Sequence, residues 1–271
     1  TYGFPIDLTE LMASECGLHV NMEDYANCLE EHQKISKGNA QSEVIAALDF
    51  KSEVETEFTG FDENESAARV IEFIERDGEY FAIVDKCPLY AKKGGQVSDH
   101  GQLVIGDEDI LILDVTQVGA AFCLRIDGMI SSWEGEPIDV ILKVDSERRR
   151  MIETHHTATH LMHWALHEIV GSEVAQQGSL VDNGRLRFDF NSEALRPDQV
   201  FKVERLVNEK ISDNDPVFWV EVEHSDVRER KDIMQFFGDK YGDMVRVVQI
   251  GGSESDLNGY SMELCGGTHL R

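Results

Sequence analysis

The stretch His155-His156-Thr157-Ala158-Thr159-His160 lies inside a run from Glu147 to Val170 that reads as one helix ending at Gly171. Two Thr and three His in six residues are poor helix formers. A chain that gives up local propensity in this way usually does so at a site. His156 and His160, at i and i+4, share one helix face with side chains close enough to hold one metal ion. At about 100° per residue, His163 and His167 fall on nearly the same face with the same spacing. Spacing alone does not choose between the two pairs. His155 points about 100° away from His156 and is not counted as a ligand. A helical His pair is also a common feature of ordinary hydrogen-bonded cores, so a metal reading needs a second set of donors.

That set stands at the far end of the chain. Cys265-Gly266-Gly267-Thr268-His269 offers a thiolate and an imidazole across a Gly-Gly turn that lets the backbone curl until both reach one ion. His156, His160, Cys265 and His269 together make a tetrahedral N/S set of the kind that binds zinc, one ion per chain. Thr157 follows His156 where a zinc protease of the H-E-x-x-H type carries Glu, which argues against that class.

Around the central helix the chain falls into three zones. Residues 1–50 carry Leu8, Leu11, Met12 and Cys16 at helical spacing, a stop at Gly17, and a second helix capped by Asn21 with Met22, Tyr25 and Leu29. A polar linker runs from about Gly38 to Phe50. Residues 51–145 read as about six short strands, with a hairpin signal at Asp77-Gly78 and turns at Gly106-Asp107 and Asp127-Gly128, hence a small antiparallel barrel or sandwich. Residues 146–271 alternate helix and strand. After the histidine helix come a strand over Leu186–Phe190 and a helix opened by Pro197. A strand over Val217–Val222, a helix near Asp226–Phe236 and a strand over Val245–Ile250 follow. The expected class is α+β.

Composition narrows the function. The 271 residues carry a formal net charge of −27, which argues against non-specific nucleic-acid binding and confines any RNA contact to local basic clusters. No run approaches the roughly 20 apolar residues of a membrane span. The five cysteines form no even framework, so an intracellular, reduced setting is expected; Cys16, Cys28, Cys87 and Cys123 read as small core residues. The opening Thr1-Tyr2-Gly3-Phe4-Pro5 has neither an initiator Met nor a signal core and reads as a cut within a longer protein.

His156-Thr157-Ala158-Thr159-His160-Leu161 together with Cys265-Gly266-Gly267-Thr268-His269 resembles the zinc motif of alanyl-tRNA synthetase editing domains. Free-standing trans-editing deacylases and threonyl-tRNA synthetases carry similar motifs. Gln176 to Val181, Leu186 to Phe190, and the glycine-rich Tyr90 to Gln96 resemble further segments of the same family. Tyr2-Gly3-Phe4-Pro5-Ile6-Asp7-Leu8-Thr9 resembles the close of its helical tRNA-recognition region, which compact editing proteins lack. Lys92 and Lys93 stand where the family usually has an acidic residue and Ser, and His155 where it has Asn.

The resemblance implies the second-domain fold of threonyl- and alanyl-tRNA synthetases. It implies hydrolysis of tRNA(Ala) mischarged with Ser or Gly, and a cytoplasmic location. It implies Thr159 and Gln176 in the substrate pocket, while the departure to Lys92 and Lys93 makes the loop with Gly94, Gly95 and Gln96 more basic, so that it and Arg187 are expected to contact tRNA. Asp189 would support the ligands from behind. ATP and Mg²⁺ would belong only to a ligase core upstream, absent here, and the chain is expected to stop before the editing fold is complete. From the residues alone two questions stay open. Zinc can keep an open position or be closed by four side chains, and the chain can be an editing enzyme or a zinc-stabilised tRNA-binding module.

Overall fold

The computed structural model describes residues 12–13, 17–22, 24–25, 54–235 and 242–271. The chain divides into two compact units, Thr1–Lys51 and Ser52–Arg271. In the first, Gly17 at φ +72° ends a helical turn, with Leu18 N–H donating back to Ala13 O at 2.8 Å. Asn21 caps the next turn: its Oδ1 accepts from Asp24 N–H at 3.2 Å, and its carbonyl from Tyr25 N–H at 3.0 Å. The other residues expected in these helices, among them Leu8, Leu11, Cys16, Cys28 and Leu29, lie outside the described residues.

The second unit begins with a closed six-stranded antiparallel barrel. Numbered in chain order, its strands are β2 (Glu65–Arg76), β3 (Glu79–Val84), β5 (Gly101–Ile105), β6 (Glu108–Val118), β7 (Ala121–Ile126) and β8 (Ile138–Val144). They close in the order β2-β3-β7-β6-β5-β8. Two short parallel strands, β1 (Glu57–Phe58) and β4 (Lys86–Cys87), pair beside it. Closure settles the choice between barrel and sandwich.

Asp77 (φ 54°) and Gly78 (φ 81°) both sit in the left-handed region, the requirement of a tight type I′ hairpin, which sets Arg76 opposite Glu79. Register shifts within Val70–Glu72 and Ile112–Asp114 supply the extra bend that closure needs. Val70, Leu103, Ile112, Leu124 and Leu142 point inward and are completely buried, each burial contributing about 1.5–3 kcal/mol. Cys87 and Cys123 are buried core thiols, as expected.

The barrel runs directly into α1 (Ser146–Ile169), capped by Asp145, whose Oδ1 accepts from Arg148 N–H at 3.0 Å. One turn in, Arg149 is buried and donates to Asp99 Oδ2 from Nε (2.8 Å), Gly60 O (2.8 Å) and Pro88 O (2.9 Å). This fixes the helix to the barrel. The remaining elements are a hairpin of β9 (Gln176–Val181) and β10 (Leu186–Phe190), α2 (Pro197–Asp213), and a three-stranded antiparallel sheet. That sheet has the order β11 (Val217–Glu223), β12 (Met244–Ile250), β13 (Ser261–Leu264).

The helix expected over Asp226–Phe236 is replaced by a four-residue helix, α3 (His224–Val227). Beyond it the backbone leaves helical pairing and joins β13: Met234 N–H donates to Met262 O at 2.8 Å and Leu264 N–H to Met234 O at 2.9 Å. Residues 236–241 lie outside the described residues. No helix among the described residues is long and apolar enough to cross a membrane.

Candidate metal centre

Helix α1 presents His156 and His160 one turn apart, their ring centroids separated by 5.3 Å. Strand β13 then delivers the Cys265-Gly266-Gly267-Thr268-His269 loop onto that turn. The His269 ring lies 4.2 Å from His156 and 4.4 Å from His160, centroid to centroid. Cys265 Sγ stands 3.5 Å from His156 Nε2 and 3.3 Å from His269 Nε2. One donor atom from each of the four residues falls within 4.8 Å of the others. The cluster can therefore hold a metal ion.

The competing pair is engaged elsewhere. His163 Nδ1 pairs with Glu263 Oε1 at 3.0 Å and His167 Nε2 with Val174 O at 2.6 Å, while His155 Nδ1 pairs with Asp182 O.

For His156 and His269, the ring nitrogen pointing away from the cluster is held by a neutral partner. Gln96 Oε1 accepts from Thr268 N–H at 3.0 Å, so His156 Nδ1, 2.8 Å away, must be the protonated donor, which leaves Nε2 free. His269 Nδ1 meets the Thr157 hydroxyl at 3.2 Å, and that oxygen also accepts from Leu270 N–H at 3.2 Å. Nδ1 of His160 is buried with no partner. A bound cation would satisfy this orphan, and three imidazoles with one thiol form a donor set compatible with zinc.

Burial, together with the neighbouring His160 and Arg246, holds His156 well below the ordinary imidazole range. Burial likewise lowers His269, helped by His156, His160 and Arg246. Burial lowers His160 as well, against the pull of Glu263. The three rings are thus in the neutral form that ligates metals. Burial pushes the Cys265 thiol up to about 11, although Gly267 N–H and Arg246 oppose it.

Arg246 fastens the loop. Nη1 donates to Gly267 O at 2.6 Å and to Cys265 O at 3.3 Å, and the guanidinium stacks 3.9 Å above Phe61 and 4.8 Å from Trp219. Glu263 is a buried carboxylate 3.6 Å from His160 Nε2. Burial would raise its pKa, but His160, His163 and His167 bring it below the usual carboxylate value.

The other expected site residues are distributed unevenly. Thr159 is buried, and its hydroxyl donates to His155 O at 2.8 Å, the backward bond that a helical Thr commonly makes. Gln176 opens β9 with Nε2 on Ser179 Oγ at 3.3 Å. Lys92, Lys93 and Gly94 are exposed, and Gly95, at φ +84°, packs so closely on Ser179 that a Cβ would overlap it. Gln96 is wholly buried, with Nε2 on Thr268 Oγ1 at 2.8 Å, so it stands behind His156 and not on an RNA-facing surface. Arg187 is exposed and pairs with Asp189 at 3.0 Å. The carboxylate that reaches a cluster histidine is Glu263, not Asp189.

The sequence reading missed Glu263, Arg246 and the Thr157 contact. Its one available clue was a carboxylate inside the otherwise apolar Met262-Glu263-Leu264.

A cavity of about 700 Å³ opens on the barrel side between Ala67, Val104 and Ile141 and touches none of these residues. A smaller one, about 300 Å³, is lined by Phe58, Tyr90, Lys93, Phe122 and Gly266. It links the basic loop to the Cys-Gly-Gly turn, which makes it the more relevant of the two.

A small barrel is thus joined through a histidine helix to a Cys/His cluster that can hold a metal ion. The chain belongs to the family of class II (A) tRNA synthetases, whose model matches residues 1–148. It is similar to the alanine–tRNA ligase of Akkermansia muciniphila, 50% identical over 271 residues that cover all of this chain and 29% of that protein. The alanine–tRNA ligases of Methylacidiphilum infernorum and Opitutus terrae are each 39% identical over all of it. The resemblance to alanyl-tRNA synthetases carried by the motifs is borne out over the whole chain. The chain spans 28–29% of the length of these three relatives. The four cluster residues lie beyond the family-model match and within the span aligned to the ligases.

Proposed function

We propose that this chain is the editing region of an alanine–tRNA ligase and hydrolyses tRNA(Ala) mischarged with serine or glycine at a zinc centre formed by His156, His160, Cys265 and His269. In this reading the parent enzyme joins alanine to tRNA(Ala) with ATP and Mg²⁺ at a separate core and works in the cytoplasm. The observation that carries the reading is the convergence of those four donors beside a cavity bordered by exposed Lys93. Binding in an alanine pocket discriminates against serine or glycine by only about 10²-fold, so a second, hydrolytic site is needed.

Bound zinc would supply a fixed positive charge able to polarise a carbonyl and acidify water. The chain's own residues do the rest. Lys92 and Lys93 meet backbone phosphates and set the register of the acceptor end, with Arg187 on the neighbouring hairpin. They offset locally a surface whose net charge of −27 would otherwise repel RNA. Thr159 keeps hydroxyl lone pairs beyond its bond to His155, and Gln176 keeps its amide oxygen. Either can accept the single hydrogen of the serine hydroxyl, a contact that alanine cannot make.

A second reading, a zinc-stabilised tRNA-binding module without turnover, is favoured by one observation: the four donors are all side chains, as in closed structural sites. Incubation with Ser-tRNA(Ala) separates the two. The wild-type chain is expected to release serine and Cys265→Ala to release none, with the barrel's circular dichroism unchanged. Full hydrolysis by Cys265→Ala would sink the proposal, and tRNA binding without hydrolysis by the wild type would favour the module.

A further inference from the structure

The glycine-rich loop reaches the metal cluster through Gln96, a side chain with no exposed surface. Its amide is held from both ends. Oε1 receives His156 Nδ1–H (2.8 Å) and Thr268 N–H (3.0 Å), and Nε2 donates to Thr268 Oγ1 (2.8 Å). Its backbone is equally constrained. Lys93 and Gln96 exchange hydrogen bonds of 3.2 and 3.0 Å across the Gly94-Gly95 turn, Val181 N–H donates to Gly95 O (2.8 Å), and Val97 N–H to Val181 O (3.0 Å). The amide cannot move unless this loop separates from β9. A residue that merely filled space here would need volume but no acceptor. This one is an oriented acceptor aimed at a candidate ligand.

We propose that Gln96 is a positioning residue of the metal centre, holding His156 in the Nδ1–H tautomer with Nε2 turned to the ion and tying that orientation to the loop that carries Lys92 and Lys93. The inference rests on the metal-centre reading above. Outer hydrogen bonds of this kind fix ligand tautomer and ring direction. Here the partner comes from the barrel, 60 residues upstream of the histidine, so the surface loop and the ligand move as one piece.

The test uses the full chain with two substitutions. Gln96→Met keeps length and bulk but has no acceptor. Gln96→Glu keeps an acceptor for His156 Nδ1–H, Thr268 N–H and the Thr268 hydroxyl. Zinc affinity is measured by competition with a chromophoric chelator, and the His156 tautomer by nitrogen-15 correlation spectra of the zinc-loaded protein. Gln96→Met is expected to weaken zinc binding about 10–100-fold, while Gln96→Glu stays within about threefold of wild type. Zinc binding by Gln96→Met as tight as wild type, or by Gln96→Glu as weak as Gln96→Met, overturns the proposal.

Should Gln96→Met fail to fold, the wild-type spectrum still decides. His156 as the Nδ1–H tautomer with a protected proton supports the assignment, and the Nε2–H tautomer refutes it. A wild-type chain that binds no zinc removes the metal centre itself, which is distinct from a zinc-binding chain indifferent to position 96.

Discussion

Gly267 and Gly266 are adjacent yet face different surroundings. A Cβ on Gly267 would overlap the His156 ring and Gln96 Oε1, whereas a Cβ on Gly266 meets nothing within 4 Å. Gly267→Ala should therefore displace a ligand ring and lower zinc affinity about 10–100-fold, as loss of ligand orientation does elsewhere. Gly266→Ala should bind zinc like the wild type. Chelator competition on the two proteins checks this, and equal affinities would show that the turn tolerates the ring's displacement.

The sequence made the four donors legible because their spacing is chemical: i,i+4 on a helix, and Cys and His across Gly-Gly. The choice between His156/His160 and His163/His167 was not legible, because both pairs occupy one face and only the tertiary position of β13 brings Cys265 to the first. Gln96 was misread for a related reason. A polar residue beside exposed lysines resembles a surface contact until the fold buries it.

Among the elements, α1 belongs to two neighbourhoods at once, with its first turn locked to the barrel and its middle forming the cluster. Arg149 is the lock, through its buried pair with Asp99 and the carbonyls of Gly60 and Pro88. Arg149→Leu leaves that carboxylate buried and uncompensated, a change that costs about 3–5 kcal/mol. Urea denaturation followed by circular dichroism should show a loss of that size, and a loss below about 1 kcal/mol would mean that the pair is replaceable by packing.

Strand and turn patterns revealed the barrel well, because Asp77-Gly78 and the β-branched runs follow local rules. Strand β9 was not seen as a strand: Gln176-Gln177-Gly178-Ser179 has weak strand propensity and is extended by pairing with Leu186–Phe190. The helix expected near Asp226–Phe236 failed for the opposite reason. Its backbone found partners in β13, which local pattern does not announce.

At the scale of the molecule, an acidic chain, a closed barrel and a Cys/His cluster combine into one compact unit over Ser52–Arg271. The basic loop, the Gln96 amide and the His156 ring form a continuous path from surface to cluster, and the cavity beside Gly266 adjoins it. Both the hydrolytic reading and the module reading stand on that centre holding zinc, with His156, His160, Cys265 and His269 as its donors. X-ray absorption at the zinc edge, on the chain loaded with one equivalent of zinc, measures this directly. The predicted first shell is three nitrogens at about 2.0–2.1 Å and one sulfur at about 2.3 Å. A shell of nitrogen and oxygen without sulfur would contradict the account.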